Sequence, residues 1–193
     1  MNVKGYRWLT SLLFALILVG LPTQAHAEKS TIKATWVWQT ELIQDGGEQL
    51  IRYSREEGIN LIYLQINRQL PAATYESFLQ RAHEEQIAVH ALGGDPRWAL
   101  TAYRADMLGL ADWVKEYNAS VAEAGRFDGV HLDIEPYVLA QWEEEQNNIL
   151  ASWEENLNLF LQQLSGEPLD LGIDIPFWSI ITPEPMAATS MNG

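Results

Sequence analysis

The sequence predicts an α/β fold with parallel strands, a partial or truncated TIM-type (β/α) barrel of about five βα units. Three observations support this. Strand-like and helix-like stretches alternate, with strands starting near residues 34, 59, 87, 127 and 169 and one helix in each gap. Repeated βα units of this kind imply a parallel sheet with right-handed crossovers. Several of the strands carry polar residues toward their ends (Gln65 and Asn67, His90, Asp133 and Glu135, Asp174), and in a barrel such residues converge on one mouth. The first strand is followed by Gln39-Thr40-Glu41-Leu42, and no G-x-G-x-x-G occurs, so a dinucleotide-binding open sheet fits less well.

Taken in order, residues 34–40 (ATWVWQT) read as a strand and 48–57 as a helix closed by Gly58. Residues 59–67 (INLIYLQIN) are a second, almost continuously apolar strand. A helix over 75–86 leads to a third strand, 87–92 (IAVHAL), which is broken by the turn residues Gly93-Gly94-Asp95-Pro96. Residues 101–124 read as a helix and 127–135 as the fourth strand. A long helix over 139–164 places Trp142, Leu150, Trp153, Leu157 and Leu164 near one face and stops at Gly166 and Pro168. Residues 169–178 (LDLGIDIPFW) are the fifth strand. A complete barrel has eight strands in about 250 residues, so five strands predict a truncated one.

The first 27 residues read as a secretory signal peptide. Lys4 and Arg7 precede a short apolar run, residues 12–19, and Ala25-His26-Ala27 supplies a small-residue cleavage site. The run is shorter than the roughly 20 residues of a membrane span, so no stable membrane anchor is expected. Residues 28–193 then form one catalytic-type domain of a secreted, cell-envelope or extracellular, bacterial protein. The chain has no cysteine, which removes a disulfide framework and a lipidated thiol. Loss of Lys4 and Arg7 takes the formal charge from −14 to −16. Such a surface repels phosphate at long range, which disfavours nucleic acid and anionic membranes as partners. Among the eight Trp, Trp36, Trp38, Trp98 and Trp178 lie in or just after strands, where rings either pack the core or stack on sugars.

The most informative stretch is Phe127-Asp128-Gly129-Val130-His131-Leu132-Asp133-Ile134-Glu135-Pro136-Tyr137. Val130, Leu132 and Ile134 share one face of the strand, and His131, Asp133 and Glu135 share the other. An imidazole and two carboxylates in a row shift one another's pKa values. Pro136 ends the strand and leaves Glu135 at its C-terminal end, where parallel α/β folds put their chemistry. Asp128 has the opposite parity, which suits a structural hydrogen-bond acceptor.

The run from Asp128 to Glu135 resembles the fourth-strand signature D-G-x-D-x-D-x-E of chitinase-like (family 18) glycoside hydrolases. Asp128, Gly129, Asp133 and Glu135 match, and His131 replaces the first alternating Asp. The stretch also looks like a related group of uncharacterised secreted bacterial barrel proteins with D-G-x-x-x-D-x-E-P-Y, which is closer at Pro136 and Tyr137. The chitinase resemblance implies that Glu135 protonates the glycosidic oxygen while Asp133 orients an N-acetyl group whose oxygen attacks, an exception to the usual two-carboxylate scheme. His131 interrupts the family's proton-sharing row of carboxylates.

The expected function is thus a secreted carbohydrate-active hydrolase cleaving a polysaccharide or oligosaccharide, with Glu135 and Asp133 catalytic and no cofactor. His131, Tyr137, Gln65, Asn67, Asp174 and Trp178 are candidate substrate-binding residues. His90 is expected to be a hydrogen-bonded core histidine. Two alternatives stay open. One is a metal-dependent amide hydrolase using His131, Asp133 and Glu135 as ligands. The other is a non-catalytic sugar-binding or inactive fragment.

Overall fold

The computed structural model describes residues 31–176. The predicted leader, residues 1–27, and Trp178 lie outside them. Five strands, β1 (Ala34–Val37), β2 (Leu61–Gln65), β3 (Ala88–Gly93), β4 (Gly129–Leu132) and β5 (Asp170–Ile173), form one sheet. All pairings are parallel and the spatial order is β1-β2-β3-β4-β5, as the βα rhythm predicts. Between them run α1 (Glu48–Glu57), α2 (Ala72–Glu84), α3 (Arg104–Ser120) and α4 (Trp142–Leu164). No helix among the described residues is long and apolar enough to cross a membrane.

The sheet is rolled. Neighbouring strands lie about 4.8 Å apart, so β1 and β5 of a flat sheet would be separated by about 19 Å. Yet Trp36 Nε1 in β1 donates to Asp174 Oδ2, just past β5, at 3.2 Å. Two side chains cannot bridge the flat distance, so the face carrying Trp36 must be concave, as in a barrel wall.

The convex face is the apolar one. Ile62, Leu64, Val89, Ala91, Val130 and Leu132 are fully buried, together with Phe78, Leu79, Met107, Val114, Ile149 and Phe160 from the helices. Burying one such side chain is worth about 1.5–3 kcal/mol, and this layer holds the strands in position.

Three boundaries differ from the sequence reading. β4 is shorter than 127–135. Its ladder runs from the Asp128 N–H on Val89 O to the Asp133 N–H on Gly93 O, and Glu135 already lies in the turn that Pro136 opens. Residues 101–124 are not one helix, because short 3-10 turns at Thr101–Tyr103 and Glu123–Gly125 flank α3. In α4, Leu150 is 38 % exposed while Ile149, Asn156 and Phe160 are buried. The core-facing stripe runs through 149, 156, 160 and 164, with the half-buried Trp153 completing the helical period. Asn156 hides it from a hydropathy reading. This amide donates to Trp98 O and Leu100 O and accepts from Arg104 Nε, so a polar residue occupies the core position.

Candidate active site

Trp36, Tyr63, His90 and His131 form a continuous ring cluster on the concave face. Register pairs Trp36 with Tyr63 and Tyr63 with His90. Rolling then brings the Tyr63 and His131 rings into a stack, 3.7 Å apart and 21° from parallel, although their strands are not neighbours. The two histidines fit because each lies beside a glycine. His90 pairs with Gly129 and His131 with Gly172. A Cβ on Gly129 would come within 2.8 Å of the His90 ring, and one on Gly172 would collide with His131 Nδ1. The Asp-Gly step that opens the signature thus has a packing reason: Gly129 yields interior volume to an imidazole.

His131 is 4 % exposed, and neither ring nitrogen makes a hydrogen bond. Its Nε2 lies 3.1 Å from Asp174 Oδ2, an ion-pair distance reached off the line of a hydrogen bond. His90 is buried as expected but its Nδ1 has no hydrogen-bond partner, a correction to the sequence reading. A tilted contact with the Tyr63 ring, 5.8 Å between centres, accommodates it instead, and burial lowers its pKa below the ordinary histidine value.

Above this floor, at the C-terminal rim, an open cleft of about 450 Å³ is lined by Trp36, Trp38, Asp133, Glu135, Tyr137 and Asp174, with Ile134, Ile175 and Pro176. Trp36 and Trp38 are 44 % and 52 % exposed, large apolar surfaces left open to solvent. The carboxyl pKa of Asp133 is raised, first by burial and then by the charges of Asp174 and Glu135, with His131 opposing. Tyr137 donates its hydroxyl to Glu135, and that hydrogen bond pushes the phenol pKa up to about 12.

The structure therefore brings together Asp133, Glu135, Tyr137 and Asp174, with His131 beneath them. It does not bring Gln65 or Asn67 into this cleft. Gln65 lines a separate hollow with Arg68, Gly93, Asp95 and Trp98. Asn67 closes a turn: its side chain accepts from the Gln69 N–H, and the Tyr75 hydroxyl bonds both its backbone N–H and its C=O. Trp178 lies outside the described residues. Among the described residues no group of three His, Asp or Glu side chains is placed to hold a metal ion, including the proposed set His131, Asp133 and Glu135.

Two residues escaped the sequence reading. Tyr63 shares its parity with Gln65, and following period two back along β2 would have put it on the polar face. His83 had no such signal. Its ring reaches Ala124 O at 2.7 Å and Asp128 Oδ2 at 3.0 Å, and Asp128 also accepts from the Val89 N–H at 2.7 Å. Asp128 is thus a structural acceptor, as its parity suggested. The chain matches no protein-family model and no curated protein.

Proposed function

We propose that this protein hydrolyses glycosidic bonds of a polysaccharide, with Glu135 as proton donor. The observation that carries the reading is the rim cleft, in which Asp133, Glu135 and Asp174 face the same space as two exposed tryptophans. Acid catalysis at a glycosidic oxygen needs a carboxylic acid beside a second carboxylate, and a sugar ring needs a flat apolar surface. Glu135 delivers its proton as the bond to the anomeric carbon breaks, so the leaving group departs as a neutral alcohol, and water supplies the new hydroxyl. Tyr137 orients Glu135 through its hydroxyl. Asp133 keeps a proton to higher pH than an ordinary aspartate and lines the cleft with Glu135, which suits a neighbour that exchanges protons with the acid. The leader-like residues 1–27 support action on a substrate outside the cytoplasm.

The test is release of reducing ends from a panel of polysaccharides by the wild type and by Glu135→Gln. The amide keeps the shape but donates no carboxylic proton, so the rate should fall by about 10²–10⁴ while glycan binding persists. Hydrolysis unchanged in Glu135→Gln removes the acid assignment. No cleavage of any glycan by the folded wild type removes the hydrolase reading.

A further inference from the structure

We infer that the cleft selects a cationic amino sugar, a hexosamine polymer whose amine is free, over N-acetylated, neutral or anionic glycans. The inference rests on the glycosidase reading for its reaction and on separate observations for its ligand. Of the nine described residues that line the cleft, three are carboxylates and none is Lys, Arg, Asn or Gln. The hydrogen-bond donors that remain are few. Trp36 Nε1 is already given to Asp174, and the Tyr137 hydroxyl to Glu135. Ionised carboxylates only accept. A site so rich in acceptors and poor in donors suits a ligand that brings its own donors, and an ammonium brings three together with a positive charge. The carbonyl of an N-acetyl group brings an acceptor to walls that are already acceptors, and a uronate brings a like charge.

Two further features point the same way. Trp36, Trp38 and Tyr137 line the cleft together with the carboxylates, and a cation within about 6 Å of an aromatic face is attracted by the ring quadrupole. Beneath the cleft His131, 4 % exposed, hydrogen-bonds through neither nitrogen and directs Nε2 at Asp174 from 3.1 Å without satisfying it. Asp174 accepts from the Trp36 indole through one carboxylate oxygen, Oδ2, and lines the cleft. The Asp133 pKa is raised partly by Asp174 and Glu135, so these like charges repel, and an ammonium between them relieves the repulsion. A free amine also leaves no acetamido oxygen to attack the anomeric carbon. Water then attacks, giving its proton to the Asp174 carboxylate as Glu135 gives its own to the departing oxygen, the two-carboxylate scheme.

The experiment uses the whole secreted protein at about pH 6 and four oligosaccharides of equal length: fully de-N-acetylated glucosamine, N-acetylglucosamine, neutral glucose and galacturonate. Binding is followed by calorimetry and by tryptophan fluorescence, and cleavage by product chromatography. The glucosamine oligomer should bind about tenfold tighter than the other three, the size of one partly desolvated cation–aromatic and ion-pair contact, and should weaken with added salt. Asp174→Asn, which keeps an oxygen for Trp36, should erase most of that preference, and Glu154→Gln on the exposed helix face should not. Equal or tighter binding of the N-acetylated or neutral oligomer overturns the inference and leaves the hydrolase reading standing. Preferential binding of the glucosamine oligomer without cleavage does the reverse. Loss of the preference in Glu154→Gln as well, or poly-lysine competing as strongly as the sugar, would show attraction by overall negative charge and would also overturn it.

Discussion

The two ends of β4 carry acids in opposite condition. At the N-terminal end, Asp128 accepts from the Val89 N–H and faces the His83 ring. Burial works against its charge, but these donors outweigh burial and hold its pKa below the ordinary aspartate value. At the C-terminal end, burial raises the pKa of Asp133, and the nearby charges of Asp174 and Glu135 raise it further. Five residues apart on one strand, one acid is stabilised as an anion and the other is destabilised as one. The first arrangement favours stability. The second is the condition expected of a working site, since a group with every partner satisfied has little left for a substrate.

The largest expected contrast is in activity. Glu135→Gln should lose hydrolysis by about 10²–10⁴ with an unchanged unfolding midpoint, whereas Asp128→Asn should keep the rate per folded molecule. A Glu135→Gln protein that unfolds markedly earlier would dissolve the distinction between the ends. Next in size is Gly172→Ala. The new methyl meets the His131 ring, and overpacking of this kind costs about 1–3 kcal/mol. Urea unfolding measures it, and a cost near zero would mean that the ring cluster yields freely.

Removing charge should change stability in opposite directions at the two ends. A carboxyl with a lowered folded pKa contributes stability above the ordinary aspartate value and loses it as pH falls. Asp128→Asn should therefore be less stable than wild type at pH 7, by about 1 kcal/mol after discounting for its part-exposed carboxylate, and the two should converge in acid. A carboxyl with a raised folded pKa has the reverse sign: its contribution is present at low pH and is lost as pH rises through the folded pKa. Asp133→Asn should thus melt above wild type at pH 7 while losing activity. Thermal melts at pH 3 and pH 7 decide both.

The smallest effect belongs to His83. Asp128 raises its pKa against burial, and the Ala124 carbonyl adds to the shift. Only the doubly protonated ring donates to both Ala124 O and Asp128. Its contribution is complete below the ordinary histidine pKa and fades as pH rises through the raised one. Wild-type melting temperature should decline slightly as pH rises above about 6.5, and His83→Gln should flatten that decline.

The legible part of the site was the part written along a single strand. Parity in 127–137 separated Val130 and Leu132 from His131 and Asp133, and Pro136 marked the turn in which Glu135 lies, two residues past the end of the ladder. Alternating strands and helices likewise carried the parallel order of all five strands. Reading failed where a polar residue served packing, as at Asn156, whose place on the buried stripe of α4 made Leu150 look like the core residue.

What local pattern determined, then, was which residues share a face, because parity and helical period follow from backbone geometry repeated every two or 3.6 residues. Which faces meet was decided only in three dimensions. Trp36 and Asp174 stand 138 residues apart and on opposite edges of the sheet, yet they hydrogen-bond. His83 likewise reaches Asp128 from a helix 45 residues earlier. Such meetings depend on how far the sheet rolls, and the roll is set by the packing of four helices against its convex face, a sum over the whole core that no short stretch of sequence contains.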